Sequence, residues 1–262
     1  MPPRNPFVVA LQFLVLALLA RNVAALEPLA TKITPATIEL GTFYGGAKVH
    51  VAGIAVADSK IIIVVRGPST AEVFNKLGRV GPIWVNTGKV TISAVPALLL
   101  VFSSEPLSSC LSSAPIDRYE LDPKSLKTHM QFETKGPDHN AIADDFLAFK
   151  THQGNYRFDS IGVQMGALNQ QALPYSLDFD MPKTAGPGKY QVSALECRGL
   201  QVVGQTQVDL AVVEVGFPAL IATLASKHAS LYGFLAVLIA MSAGFGIDSF
   251  ASRIFRRKVV TH

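Results

Sequence analysis

The stretch "KHASLYGFLAVLIAMSAGFGIDSFASRIFRRKVV" near the C-terminus constrains this chain more than any other, because Leu231 to Ile247 carries no charged residue. A helix rises about 1.5 Å per residue and the hydrocarbon of a bilayer is about 30 Å thick, so about 20 apolar residues reach across it. The span is placed at residues 229–250. A core helix of a soluble protein is not usually apolar on every face and then followed by Arg253, Arg256, Arg257 and Lys258. Cations gather on the cytoplasmic side of a span, so the basic tail at 251–262 is expected inside the cell and the preceding domain outside.

The other end supports export. "MPPRNPFVVALQFLVLALLARNVAALEP" has one early cation, Arg4, an apolar run from Phe7 to Ala20, and the small residues Val23, Ala24 and Ala25. These are the three parts of a secretory signal, and the apolar run is short for a membrane span. Residues 1–25 are therefore read as a signal peptide. This gives a periplasmic domain at 26–216, a juxtamembrane segment at 217–228, and a single-pass protein of the cell inner membrane.

The net charge of +4 belongs to the two ends. Residues 26–228 hold 17 Lys and Arg against 18 Asp and Glu, a balance of −1. Nucleic-acid binding needs a clustered basic face to neutralise phosphates, so no nucleic-acid partner is expected. The two cysteines, Cys110 and Cys197, both fall in the exported part. A bond between them would close a loop of 88 residues, worth about 4 to 5 kcal/mol in the chain-entropy model. The alternative of two buried thiols is equally compatible with the sequence.

From Ala36 to Ser103, short runs rich in Val, Ile and Thr are bounded by Gly, Pro, Asn or Asp, the pattern of successive strands. In "AKVHVAGIAV" the alternation of Val49, Val51 and Ile54 predicts one buried face, and "IIIVV" at 61–65 predicts a strand covered on both sides. A second strand series follows residue 160. There "AGPGKYQVSAL" sets a Pro-Gly turn before an inward set, Tyr190, Val192 and Ala194. The expected fold is mainly β: an immunoglobulin-like β-sandwich, by analogy, with a helical insertion near 117–155. In that insertion Ile142, Phe146 and Phe149 mark the buried stripe of a helix over 141–152, capped by Asp138 or Asn140. "DPKSLKTHM" predicts another short helical turn.

Motifs for chemistry are sparse. "GTFYGGAKV" lacks the Gly-Lys-Ser/Thr order of a phosphate loop, because Ala47 separates the glycines from Lys48. His129, His139, Asp144, Asp145 and His152 form the region richest in possible metal ligands. However, Asp145 and His152 stand two helical turns apart, too far to share one ion. No serine or cysteine nucleophile signature occurs. No residue is assigned a catalytic, cofactor-binding or metal-binding role. Trp84, the only tryptophan, is expected to fill a gap between sheets, with Asn86 and Gly88 closing its strand into a turn. Arg66 and Asn86, at strand ends before Gly turns, are better placed to touch a partner, and ordinary loop capping is the favoured reading of both.

"VVRGP" at 64–68, "GPIWVN" at 81–86, the Pro-Gly-Lys-Tyr turn at 187–190 and "KHASLYGFLAVLIA" at the membrane resemble a family of transmembrane proteins described chiefly from alphaproteobacteria. The similarity runs over nearly the whole chain, which departs from it in carrying two cysteines. The resemblance carries over no particular activity, and it implies an association with sulfite-exporter-like permeases. The function expected is that of a membrane-anchored periplasmic accessory or interaction protein. The alternatives are a periplasmic hydrolase or metal-dependent enzyme and a structural envelope protein. Partners are expected in the membrane or envelope. The small residues Ala236, Ala240 and Gly244 recur every fourth position and offer a stripe for self-association or for a permease helix.

Overall fold

The computed structural model describes residues 29–133, 139–169 and 172–255. The leader at 1–25, the cap candidate Asp138, and the cations Arg256, Arg257 and Lys258 lie outside the described residues. The fold is mainly strands, in three sheets. One sheet has the order β1 (Ala30–Thr34), β3 (Ala47–Val56), β11 (Ala172–Met181), β10 (Gln164–Met165). A larger one runs β2 (Thr37–Leu40), β13 (Gln201–Glu214), β12 (Gly188–Arg198), β4 (Lys60–Arg66), β7 (Leu99–Ser103), β9 (Tyr156–Ile161). The third joins β5 (Ser69–Val80), β6 (Ile83–Pro96) and β8 (Gln131–Phe132). Most pairs are antiparallel, while β2 with β13 and β7 with β9 run parallel.

Strand β4 explains the layering. Its β-branched run alternates between faces with period two. Ile61, Ile63 and Val65 enter a first core, shared with Val49 and Val51 of β3, Leu177 and Phe179 of β11, and Tyr190, Val192 and Ala194 of β12. Ile62 and Val64 point the other way, into a second core. The central sheet is thus buried on both sides, as "IIIVV" predicts, and Tyr190, Val192 and Ala194 do face inward. The Tyr190 hydroxyl donates to the Gly186 carbonyl at 2.8 Å and fixes the Pro-Gly turn beside it. Ile54 departs from expectation and is 41% exposed. The inward residue at that point is Gly53, where an added Cβ would stand 2.1 Å from the Ala30 carbonyl oxygen and 2.3 Å from the Tyr175 hydroxyl. The likeness to an immunoglobulin sandwich rests on analogy alone.

Helices close the second core from outside. They are α1 (Leu107–Cys110), α2 (Ser113–Tyr119), α3 (Pro123–His129) and α4 (His139–His152). The sequence Asp-Pro-Lys-Ser starts α3 with a capping box. The Asp122 carboxylate accepts from the Ser125 backbone N–H at 2.7 Å, and the Ser125 hydroxyl accepts from the Asp122 N–H at 3.3 Å. Pro123 at the first turn has no amide hydrogen to waste. In α4 the buried set is Ala143, Phe146, Leu147 and Lys150, so the stripe is rotated from the expected one and Phe149 faces out. Asn140 lies within this helix and does not cap it.

At the C-terminal end, α5 (Phe217–Lys227) stops at His228, and α6 (Ala229–Phe255) follows. Among the described residues α6 is the one helix long and apolar enough to cross a membrane, over Ala229–Ser252, and none of its most apolar window is buried in the protein. At about 1.5 Å per residue its 24 residues exceed the hydrocarbon thickness of about 30 Å.

Candidate functional site

The hairpin of β5 and β6 turns on Gly81 and Pro82, with Val80 opposite Ile83. Gly81 takes φ of +62° and proline fixes the next φ near −65°, the sign pattern of a tight hairpin turn that matches strand twist. Arg79, opposite Trp84, donates from Nε to the Gly81 carbonyl at 3.1 Å and braces the tip. Near the base, Phe74 packs against the second core while Val90, Ile92 and Val95 lie buried within it, against Phe146 and Leu147 of α4. Toward the tip this cover ends. Val80, Ile83 and Trp84 are 58%, 60% and 68% exposed.

This corrects the placement of Trp84 in an inter-sheet gap. The strand belongs to the third sheet, and Trp84 is its second residue after the Gly81-Pro82 turn, where its side chain is largely exposed. Asn86 and Gly88 also do not end the strand, since β6 continues to Pro96. Asn86 Oδ1 instead accepts from the Gly88 N–H at 3.0 Å, beside a register shift in the opposing strand between Lys76 and Leu77.

At the hairpin base a half-open cleft of about 450 Å³ lies between the hairpin and α4, lined by Phe74, Val90, Ile92, Ile142, Asp145, Phe146 and Phe149. Phe74 meets Phe146 and Phe149 edge to face, with centroids 5.6 and 5.7 Å apart. Beneath it, Lys150 is buried and paired with Glu72, and its ammonium stands 5.7 Å from the Phe146 ring centre. Tyr156, whose hydroxyl donates to the Pro96 carbonyl at 2.7 Å, has its ionisation pushed up by burial and then by Glu72.

A smaller polar cleft of about 280 Å³ lies on the central sheet, lined by Arg66, Arg118, Glu120, Gln191, Ser193 and Gln207 among others. Arg66 is committed within the protein. Its Nη1 donates to Glu120 Oε2 at 2.5 Å and its Nη2 to the Tyr119 carbonyl at 3.1 Å. Glu120 is held there by its left-handed conformation at the end of α2, φ +53°. Arg66 therefore serves structurally, tying a helix end to β4, and is not free to reach a partner through these groups.

The structure disperses the residues considered as metal ligands. His129 lies beside Glu120 at 3.6 Å, His139 stacks on Phe132, Asp144 pairs with Lys127, and Asp145 borders the apolar cleft. His139 and His152 sit at opposite ends of α4, about 20 Å apart at 1.5 Å per residue. Among the described residues no group of three or more His, Cys, Asp or Glu is arranged to hold a metal ion. Cys110 and Cys197 stand as two buried thiols in the second core.

Sequence reasoning missed the exposure at the hairpin tip. The signal available was the Gly-Pro pair directly before Ile83 and Trp84, which puts both beside a turn. No curated protein matches the chain. The family described as "Putative transmembrane protein (Alph_Pro_TM)" matches residues 28–257, and the chain belongs to that family.

Proposed function

We propose that this is a membrane-anchored accessory protein whose β domain, residues 26–216 with the helices as an insertion, stands in the periplasm and grips a partner in the inner membrane or envelope. The observation that carries this reading is the hairpin tip, where Trp84 on one face of the hairpin and the cross-strand pair Val80 and Ile83 on the other are all exposed. Tryptophan is the side chain most over-represented among residues that dominate binding energy, because its large rigid ring loses little entropy when it docks. A permease fits the anchoring, and the sulfite-exporter-like kind implied by the sequence resemblance is the first candidate. In the span, the stripe Ala236, Ala240 and Gly244 gives the same partner, or a second copy, a close approach in lipid.

The basic residues after the span support a cytoplasmic C-terminus. Alkaline phosphatase fused after residue 215 is expected to be active and fused after His262 inactive; the reverse pattern contradicts the orientation. The accessory role is tested by photo-crosslinking from position 84 in native membranes, where a second membrane protein should be captured.

A further inference from the structure

The two cysteines, far apart in sequence, enter one core. Cys197 lies near the end of β12, at a register shift against β13, and pairs across β4 with Lys60. Lys60 Nζ donates to the Ser109 carbonyl at 3.0 Å and pairs with the Glu105 carboxylate at 2.6 Å, so it clasps both ends of the turn that carries Cys110. Two backbone bonds fix the flanks of that turn. The Ser104 N–H donates to the Ile61 carbonyl at 2.9 Å, and the Ser112 N–H to the Leu200 carbonyl at 3.1 Å. Between these clamps α1 presses Cys110 inward, 1% exposed, into the cluster that holds Cys197, 0% exposed. The Cys197 thiol is pushed up to about 12 by burial first and then by the nearby Cys110. These are the only cysteines in the chain.

We infer that Cys110 and Cys197, which stand as separate thiols in this structure, are joined by an intramolecular disulfide in the mature protein, fastening α1 to the central sheet; the inference rests on the periplasmic placement proposed above. The oxidant is an external disulfide of the thiol-oxidoreductase or glutathione class. One cysteine thiolate attacks it, forms a mixed disulfide and expels one thiolate. The second cysteine thiolate then attacks the cysteine sulfur of that mixed bond and expels the other. The two cysteine sulfurs lose two electrons, the external disulfide gains them, and its two thiols carry away both protons. A thiol raised to about 12 and closed off from solvent is a poor nucleophile, so the exchange takes place while α1 is still lifted from β4.

The full chain, purified in detergent from the membranes that natively hold it, is denatured with iodoacetamide and no reductant, digested and weighed. The expected result is that both cysteines escape alkylation and that a Cys110 peptide is linked to a Cys197 peptide. Reductant should release the pair, and both cysteines should then alkylate. Alkylation of both cysteines without reductant overturns the inference, as does a bond joining two copies of the chain. In a second arm, the reduced and denatured chain is refolded in detergent with oxidised glutathione. Recovery of the same linked pair is expected, and random mixed disulfides with glutathione at both positions contradict the placement.

Discussion

Lys150 carries its ammonium into the second core, 5% exposed, between the rings of Phe146 and Tyr156 and against the Glu72 carboxylate. Replacing it with alanine leaves that carboxylate without its cation and opens space under α4. The expected cost is about 3–5 kcal/mol, and replacing both partners by methionine should recover much of it, because an apolar pair needs no charge compensation. Denaturant unfolding of the full chain in detergent reads both variants. Cys197 gives a second expectation at this scale. With its folded value raised to about 12 from an ordinary 9.0, the reduced protein keeps that proton across a window in which the unfolded chain gives it up. Its stability is therefore complete below about pH 9 and falls as pH rises toward about 12. The disulfide form has no such proton, and the buried tyrosines titrate alike in both forms. Once the disulfide is confirmed by peptide mapping, melting with and without reductant should diverge as pH rises above about 9, and parallel curves then contradict the burial of the thiol.

At the scale of elements, the legible parts of the sequence were those where side chains speak for themselves. The run Ile61 to Val65 gives a strand covered twice, and "DPKSLKTHM" gives a short helix, α3. Three readings slipped for physical reasons. In β3 the inward residue is Gly53, which has no side chain to continue the alternation, so Ile54 took its place in the pattern. In α4 the stripe turned because buried Lys150, neutralised by Glu72, counts as an inward residue that a hydrophobic pattern omits. Burial of a large ring is usually favourable, which places Trp84 inside, whereas the Gly81-Pro82 turn beside it is the local signal that sets it at an exposed hairpin tip. The span behaves as an element too. Leucine at both Ala240 and Gly244 should leave insertion intact and weaken association with the partner or second copy in a membrane two-hybrid assay; unchanged association at normal membrane levels reduces α6 to an anchor.

For the whole molecule, the first core holds the outer and central sheets together, the second roofs the central sheet with helices and the base of the hairpin, and α6 is the helix long and apolar enough to cross a bilayer. Sheet order could not be read from the chain, since β3 pairs with β11 across more than a hundred residues and β2 joins β13 in parallel. The consequence is a hairpin packed at its base against the second core, with exposed apolar residues at its tip. The most direct test puts a photo-reactive phenylalanine analogue at position 84 and, as a control, at the exposed Asp180 of the outer sheet, in native membranes. The expected result is a covalent adduct with one membrane or envelope protein from position 84 and not from 180, lost when Val80 and Ile83 are changed to serine. No adduct at 84, or the same adducts from both positions, would contradict the hairpin tip as the contact surface.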